Sequence, residues 1–484
     1  MRGMASGQRH HPSLVRQRAI GAFVGAAVGD ALGAGFEFDG PGLYTKRFPQ
    51  PVLAAAGEMR GGGSFGWSPG EFTDDTAMAV ALAESLVAHR GLDHADAWLR
   101  WRAWARTAPD VGNLTRIALS HDSYVGSAGR AAAINGGHAA GNGSLMRNVP
   151  VALFHHDDSD DDLARLASAQ SALTHHDPDC AIACALHARM VRAAMHGDDA
   201  FAALDESIAD LPGEARARWS ALLAPAWEPD HATKPNGTVW TCFAQAAWAV
   251  RGARDFAHAL ARAIDLGDDT DTVACVTGSI AGAIWGIQGI PSRWTTYVHG
   301  TVDTPNGRRT YRNADLQHLA LQLLGDALPP LAPGEAPAGP VRVHDALPIH
   351  AANWTGARDV PDTWAVISAC RTGSDFHGHP VRREVFLVDQ YGDTDNHDPR
   401  AALLDAVDSI DALLADAPDR NVVVHCHAGR SRTGFILKAW AMRRFGWDEP
   451  RAHEWLTAQW PHADRSNPVF LRILREEWVP RAER

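Results

Sequence analysis

The chain has 484 residues, a length that predicts two or three domains rather than a single core. Its hydrophobic content of 45% and charged content of 21% are typical of a soluble globular protein, and a net charge of −12 without a long basic run disfavours nucleic acid as a partner. The six cysteines form no Cys-x-x-Cys pair, which disfavours a disulfide scaffold or zinc knuckle and favours a reducing cytoplasm.

The N-terminal segment 16–35, "RQRAIGAFVGAAVGDALGAG", combines basic residues, an apolar run and small residues, as signal peptides do. Asp30 interrupts the apolar run, and patterned sequence follows it. No stretch is expected to reach the roughly 20 apolar residues that a transmembrane helix needs. We therefore expect a mature cytoplasmic protein.

Residues 20 to about 324 are rich in Ala and Leu, and apolar residues recur there at helical spacing, as in 77–89 and 271–286. Convincing alternating strands are scarce. This half predicts an all-α domain, for which we set the bounds 16–326.

A Pro-, Ala- and Gly-rich stretch, 327–340, predicts a linker. Beyond it, buried strands are expected at 363–370, 383–389 and 421–426, and helices at 399–417 and 434–446. Strands that alternate with helices predict an α/β domain with a central, mainly parallel sheet at 341–484.

The stretch "VVVHCHAGRSRTG" predicts a strand that ends at Cys426, then a loop, then a helix. Backbone N–H groups of such a loop and the helix dipole suit a phosphate and also lower the pKa of a thiol, which gives a thiolate nucleophile. The planar guanidinium of Arg432 can bind two phosphate oxygens, and Thr433 can hydrogen-bond the sulfur as it leaves.

This motif resembles the Cys-dependent protein tyrosine and dual-specificity phosphatases, with His425, Cys426, Arg432 and Thr433 in the signature positions. The similarity spans about 341–478. It implies that Cys426 and Arg432 are catalytic and that a phosphorylated substrate is held by the loop, which comprises His427, Ala428, Gly429, Arg430, Ser431 and Thr433.

Phosphatases of this kind need a general acid. Asp389 ends the preceding strand, and Asp393 lies at the family's more usual distance before the cysteine, with Asp395 nearby. Because the Trp-Pro-Asp form is absent, either Asp389 or Asp393 is predicted to be the acid. A loop carboxylate or helix cap is the alternative for each.

Two acidic clusters, "FTDDTAM" and "GDDTDTVACVTG", each precede a predicted helix. A single carboxylate there would be a helix cap, but several together repel one another and raise each other's pKa. A bound cation removes this repulsion, and hard oxygen ligands favour Mg²⁺, with Mn²⁺ as an alternative. No His or Cys lies within 72–78 or among the acidic and hydroxyl residues 268–272, which disfavours zinc.

Together with the islands 21–38, 141–151 and 173–179, the clusters resemble the ADP-ribosylglycohydrolase family, which includes the enzyme that reactivates dinitrogenase reductase. The similarity spans about 20–324 and implies an all-α fold with two Mg²⁺ ions. The implied metal ligands are Thr73, Asp74, Asp75, Asp269, Asp271 and Thr272.

The resemblance also implies that Asp30 and Glu37 line the cleft and that Glu37 is catalytic, since the Glu on this loop is a mobile gate over ADP-ribose in some relatives. A surface loop carboxylate is equally compatible with the sequence at Glu37. His175 would lie near the substrate, although a core histidine is equally compatible with its sequence. Asp268 stands where the family usually has Gly, so it is either an outer partner for metal-bound water or a solvent-facing residue. The residues expected to hold the ribose and diphosphate are Asn142, Gly143, Ser144 and Met146.

The sequence thus predicts a bifunctional hydrolase with one site in each domain. A metal-dependent site would release ADP-ribose from a modified protein or small molecule, with Asp269 or Asp75 accepting a proton from water. The second site would hydrolyse phosphate monoesters. Alternatives are a reader of ADP-ribose or phosphate without turnover, and a phosphatase with an inert helical half. A monomer is expected, and the acceptor stays open.

Overall fold

The computed structural model describes residues 11–327, 330–331 and 334–478. Within this range the chain forms two compact units. The first contains residues 11–50, 58–290 and 297–327, and the second contains 51–57, 291–296 and the described residues from 330 onward. Residues 328, 329, 332 and 333 of the predicted linker lie outside the described residues, and the predicted domain bounds stay predictions.

The first unit is mainly helical, as the sequence predicts. Short 3₁₀ turns at Ala34–Phe36, Pro229–His231 and Ile287–Gly289 connect some of the helices. The helices before residue 330 are α1 Pro12–Gly33, α2 Leu43–Arg47, α3 Asp74–His89, α4 His94–Ala105, α5 Asn113–Leu119, α6 Ser127–Ile134, α7 Val149–Phe154, α8 Asp160–Ala172, α9 Pro178–His196, α10 Ala200–Ala209, α11 Gly213–Leu222, α12 Val239–Arg251, α13 Phe256–Ile264, α14 Thr270–Trp285, α15 Ser292–Thr295 and α16 Asn313–Leu323.

Helices α1 and α14 pack with their backbones in contact. The contact surface of α1 carries glycine at every fourth position, namely Gly21, Gly25, Gly29 and Gly33. A Cβ placed on Gly29 would lie 2.0 Å from the carbonyl oxygen of Ala274, and one on Gly25 would lie 2.4 Å from that of Gly278. Only glycine at these positions allows the two backbones to approach so closely.

The expectation that no helix is long and apolar enough to span a membrane is wrong for the segment Pro12–Phe36, which has sufficient length and a mean hydropathy of 1.5 over 18 residues. Of the residues in this stretch of 18, 94% are buried inside the protein. Its small and apolar residues therefore belong to a central core helix, which is apolar on all sides because protein surrounds it.

The expected all-α architecture of the first half also needs a correction. A two-stranded antiparallel sheet, β1 His299–Thr304 and β2 Gly307–Arg312, pairs Thr304 with Gly307 at its turn. The Asn-Gly dipeptide at 306–307, flanked by residues of high strand propensity, is a hairpin signal that the helical pattern of the surrounding sequence obscured.

The second unit is an α/β unit with a five-stranded sheet of order β3-β4-β7-β5-β6. Strand β3 is antiparallel to β4, and all other neighbours are parallel, as the alternating strands and helices predict. Its elements are β3 Val341–Arg342, β4 Ile349–Asn353, α17 Trp354–Ala357, β5 Ala365–Ser368, β6 Arg382–Glu384, α18 Pro399–Asp416, β7 Val422–Cys426, α19 Ser431–Phe445, α20 Glu449–Gln459, α21 Pro468–Arg472 and a π-helical turn at Ile473–Glu477.

The central strands β5 and β7 are fully buried, which explains why both are continuous apolar runs rather than alternating ones. Strand β6 is shorter than the predicted 383–389. The backbone N–H and C=O of Val388 bond to the side chain of Asn396 instead of to a neighbouring strand, so the chain leaves the sheet before Asp389.

We expect Gly29→Ala to lower the free energy of unfolding by about 3 kcal/mol, because its methyl group would overlap the backbone of α14 and force the two helices apart. Urea denaturation measures this change. The control is Gly213→Ala at the start of α11, where a Cβ meets nothing within 4 Å. Equal stability of the two variants would contradict the close packing of α1 and α14.

Candidate active sites

The first site is built where α3 begins. Asp74 and Asp75 lie in the first turn of α3, where the helix dipole favours negative charge. The N-cap side chain of Thr73 makes no capping bond. Asp30 of α1 caps α3 instead, with its Oδ1 accepting from Thr73 N at 2.8 Å and its Oδ2 from Thr76 N at 3.0 Å. Asp30 thereby joins the two helices.

The start of α14 brings the second acidic cluster to the same place. The hydroxyl of Thr270 donates to the carbonyl oxygen of Gly33 on α1 at 2.9 Å, which anchors the first turn. The hydroxyl of Thr73 then lies 3.2 Å from Asp75 Oδ2 and 3.4 Å from Asp271 Oδ2. The two clusters, far apart in sequence, form one group of oxygen atoms.

Two sets of carboxylates in this group can hold a cation. One oxygen each from Asp30, Asp75 and Asp271 lie within 4.8 Å of one another, and the same is true of Glu37, Asp110 and Asp271. Within the described part of the chain, Asp75 Oδ1 and Glu37 Oε2 are buried without a hydrogen-bond donor. Buried carboxylate oxygens without donors fit a hard divalent cation, which supplies the missing positive charge.

Burial and mutual repulsion raise the pKa of these carboxyl groups. Burial raises the pKa of Asp30 to about 6, and burial together with Asp110, Asp269 and Asp30 raises that of Glu37 to about 8. Burial and neighbouring carboxylates also raise the pKa values of further members of the group, namely Asp74, Asp75 and Asp271. The group therefore resists full ionisation unless positive charge is added.

A cavity of about 840 Å³ opens onto this group, and most of the predicted site residues line it. The predicted metal-ligand and cleft residues that line it are Glu37, Asp74, Asp269, Asp271 and Thr272. The predicted substrate-binding residues that line it are Asn142, Gly143, Met146 and His175.

The remaining predicted residues lie behind the cavity wall. Thr73, Asp75 and Asp30 are buried beneath it, within the oxygen cluster. Ser144 is fully buried, its hydroxyl accepts from Ser171 Oγ at 2.8 Å, and its carbonyl oxygen accepts from Gln170. Ser144 therefore supports the Gly-containing turn from behind and does not face the cavity.

His175 lines the cavity with its ring against Gly143, and its Nδ1 lies 2.8 Å from the hydroxyl of Thr174. Burial lowers the pKa of His175 to about 3, so the ring is neutral at ordinary pH. Arg147 donates to the same Thr174 hydroxyl at 2.9 Å and thereby fixes its position. The ring is suited to hydrogen bonding with a ligand and not to carrying a charge.

Sequence reasoning missed two residues of this site. Asp110 completes the carboxylate set with Glu37 and Asp271 from a loop that no pattern singles out. Asn236 accepts from Asp269 N at 3.1 Å through Oδ1, and its backbone oxygen accepts from Asn142 Nδ2 at 3.1 Å. The Pro-Asn-Gly turn at 235–237 was a signal that could have led to Asn236.

Asp268 faces solvent and adopts a left-handed backbone conformation with φ of 63°. Such a conformation favours glycine, and Asp tolerates it better than most residues. The carbonyl oxygen of Asp268 accepts from Phe38 N at 2.7 Å, and its N–H donates to Asp39 O at 2.9 Å. Its backbone therefore holds the loop that carries Glu37.

The second site lies at the carboxyl end of β7. Cys426 is 1% exposed at the strand end, and α19 begins at Ser431 after the loop 427–430. Within this loop Gly429 has φ of 70°, and its carbonyl oxygen accepts from the indole of Trp460 at 2.7 Å. Arg432, in the first turn of α19, donates to the carbonyl oxygen of Leu387 at 3.2 Å. The strand, loop and helix order is the one that the sequence predicts.

His425 is buried behind Cys426, with its Nε2 2.7 Å from the hydroxyl of Ser368 on β5. Burial lowers the pKa of His425 to about 3, so this histidine is a neutral structural partner of the sheet.

The structure separates the two candidate acids. Asp389 is anchored beside the loop, with its Oδ1 accepting from Ser431 Oγ at 2.8 Å and Asn467 Nδ2 at 3.0 Å, and its Oδ2 lies 3.6 Å from Arg432 Nε. The side chain of Asp393 is 58% exposed and pairs with Arg472 at 2.8 Å. Of these two carboxylates, Asp389 is the one in contact with the first turn of α19.

Residues 11–330 match the family model ADP-ribosylglycohydrolase. The chain belongs to the ADP-ribosylglycohydrolase family. This membership makes it a glycohydrolase of ADP-ribosylated acceptors, and it accounts for the helical unit and the acidic clusters. The cysteine site lies beyond the matched residues.

Curated relatives and a solved structure are similar to more than half of this ADP-ribosylglycohydrolase. The chain is 33% identical over 300 residues to ADP-ribosyl-[dinitrogen reductase] glycohydrolase of Rhodospirillum rubrum, covering 60% of this chain and 92% of that protein. It is 31% identical over 300 residues to the ADP-ribosylarginine hydrolase Tri1 of Pseudomonas putida, covering 59% and 76%. A solved structure, described as an ADP-ribosylglycohydrolase-related protein complex, is 32% identical with a TM-score of 0.50 and covers 65% of this chain and 99% of its own.

We expect divalent cations to stabilise the protein more at pH near 8 than at pH near 5.5. Folding raises the pKa values of Asp30 and Glu37 above those of the unfolded chain, so without a cation stability is lost as the pH rises through the raised values, about 6 and about 8. A cation offsets this loss. Thermal melts with EDTA and with Mg²⁺ or Mn²⁺ at both pH values measure the effect.

The control for these melts is Asp75→Asn, which removes one charge from the centre of the group. This variant should show a weaker dependence on both pH and cation. An equal rise in Tm at both pH values in the wild type would contradict the proposed binding to these carboxylates.

Proposed function

We propose that the helical unit hydrolyses the N-glycosidic bond between ADP-ribose and an arginine side chain with the help of two Mg²⁺ ions, which Mn²⁺ can replace. The observation that carries this proposal is the convergence of the two acidic clusters on the floor of one cavity, with buried carboxylate oxygens that lack donors. The arginine linkage is supported by two relatives that are named for action on ADP-ribosylarginine and on ADP-ribosylated dinitrogen reductase.

The residues that would hold the ions are Thr73, Asp74, Asp75, Asp269, Asp271 and Thr272, with Asp30, Glu37 and Asp110 as further carboxylates in reach. When bound, such ions orient ribose hydroxyls and increase the acidity of water. In the reaction, water adds to the anomeric carbon as its bond to the arginine nitrogen breaks, and the products are ADP-ribose and free arginine.

In this proposal Asp269 takes the proton that water loses. Its Oδ2 accepts from Asn142 Nδ2 at 2.9 Å, and its N–H donates to Asn236 Oδ1, so the carboxylate is held in one orientation at the cavity wall. Asp75 is the alternative base, although it is fully buried beneath the wall. Holding the base in advance lowers the cost of orienting it in the transition state.

We propose a second activity, the hydrolysis of phosphate monoesters by Cys426. The supporting observation is a buried cysteine at the end of a central parallel strand, followed by a short loop and a helix whose first turn carries Arg432. The loop N–H groups and the guanidinium would bind the phosphate, and the thiolate would attack phosphorus as the ester oxygen leaves with a proton from the acid. Water would then cleave the sulfur–phosphorus bond and release inorganic phosphate. Asp389 is the better candidate for the acid because it is anchored beside Arg432.

We place both activities in the cytoplasm, where the six free cysteines of the chain would remain reduced.

Release of ADP-ribose from ADP-ribosyl-arginine and ADP-ribosyl-serine peptides tests the first activity. We expect Mg²⁺-dependent release from the arginine peptide, a loss of about 100-fold or more in Asp269→Asn because the base is removed, and no change in Cys426→Ser. Selective release from the serine peptide would overturn the arginine linkage. Binding of ADP-ribose without any release would favour a reader.

Hydrolysis of phenyl phosphate, whose poor leaving group needs an acid, tests the second activity. We expect Cys426→Ser to be inactive and Asp389→Asn to lose about 100-fold in kcat together with the basic limb of the pH profile. Asp393→Asn is the matched control and should stay near the wild type, because its carboxylate pairs with Arg472 at the surface. The reverse behaviour of the two Asn variants would assign the acid to Asp393.

A further inference from the structure

A groove of about 490 Å³ lies on the first unit, beside the cavity of about 840 Å³ that opens onto the carboxylate group. It is formed by the second half of α4, the loop that follows it and α5. Its lining includes Arg102, Arg106 and Arg116, and none of the described residues that line it is acidic. The chain as a whole carries a net charge of −12, so this concentration of positive charge is opposite in sign to the average.

Among the residues that the structure describes, two of these arginines have no carboxylate partner. Neighbouring Arg100, on the same helix, is paired with Glu84 and Asp96. In contrast, Arg102 and Arg106 lie within 4 Å of no carboxylate in the described part of the chain. Arg116 donates to Asn113 and to the backbone of Val111 and also interacts with the nearby charge of Asp110. The charge available to a ligand is therefore that of Arg102 and Arg106.

The groove adjoins the proposed catalytic cavity, because Val111 and Arg116 line both. A modified side chain bound in the cavity is attached to a polypeptide, and this polypeptide must pass over the rim of the cavity. An extended chain advances about 3.3 Å per residue, so residues only a few positions from the acceptor would reach the groove. The groove also offers apolar contact through Leu99, which is 55% exposed.

We infer that this groove binds an acidic segment of the ADP-ribosylated acceptor protein, next to the modified residue. The inference rests on the proposed hydrolysis of ADP-ribosylated proteins. Carboxylates of the segment pair with Arg102 and Arg106, and its apolar atoms cover Leu99. A mixed acidic and apolar peptide uses both kinds of contact.

The test compares three substrates: free ADP-ribosyl-arginine, an ADP-ribosyl-arginine peptide with flanking Asp residues, and the same peptide with Asn in their place. We expect the double variant Arg102→Gln/Arg106→Gln to lose about fivefold to tenfold in kcat/KM on the Asp peptide, through KM. Free ADP-ribosyl-arginine and the Asn peptide should be unaffected. Salt at about 0.5 M should remove the wild-type preference for the Asp peptide.

The matched control is Arg165→Gln/Arg254→Gln, which removes two arginines that are 73% and 74% exposed and lie outside the groove. An equal loss in both double variants would show an effect of net charge and overturn the inference. Equal kcat/KM of the wild type and the groove variant on the Asp peptide would also overturn it. Selective loss on an ADP-ribosylated oligonucleotide instead would assign the groove to a phosphate backbone.

Failure of the underlying activity is recognised separately, because the wild type would then not release arginine from free ADP-ribosyl-arginine. In that case the groove is tested by fluorescence anisotropy with the unmodified Asp peptide. A higher Kd in the groove variant than in the control variant supports the groove, and equal values overturn it.

Discussion

The architecture of the glycohydrolase site depends on the backbone-to-backbone contact of α1 and α14. Helices that pack through ordinary side chains lie 8–10 Å apart, a separation that keeps their termini apart as well. Here a Cβ on Gly33 would lie 2.6 Å from the Cα of Asp271, so the first turn of α14 is pressed directly against the end of α1. Asp30, one turn earlier, reaches α3 from this position. The repeated glycines thus determine which carboxylates can meet.

The buried acids divide into two kinds by their hydrogen bonds. Both oxygens of Asp30 accept from the first turn of α3, so this carboxylate is already stabilised by the protein. Asp75 Oδ1 and Glu37 Oε2 have no such donor among the described residues. A buried carboxylate that the protein leaves unsatisfied costs stability, and proteins retain such groups where a ligand satisfies them. The first kind builds the site, and the second kind is left for a ligand.

Local sequence predicted the parts of the protein that local rules control. Both acidic helix starts, the cysteine loop between β7 and α19 and the parallel sheet follow from periodicity and residue chemistry over short windows. The contributions of Asp110 and Asn236 could not be predicted, since their roles arise from tertiary contacts with residues far away in sequence. Ser144 is the converse case: the sequence predicted a substrate-binding residue in a Gly-containing turn, but its side chain is buried and bonds to Ser171.

The left-handed backbone at Asp268 has a further consequence for access to the cavity. Two main-chain hydrogen bonds, to Phe38 and Asp39, tie the loop after Glu37 to the turn before α14. Breaking them would cost about 1 kcal/mol each, and Gly42 N adds a third main-chain bond between the two segments, to Asp265 O at 2.8 Å. These bonds hold the loop after Glu37 against the turn and so keep Glu37 at the cavity wall.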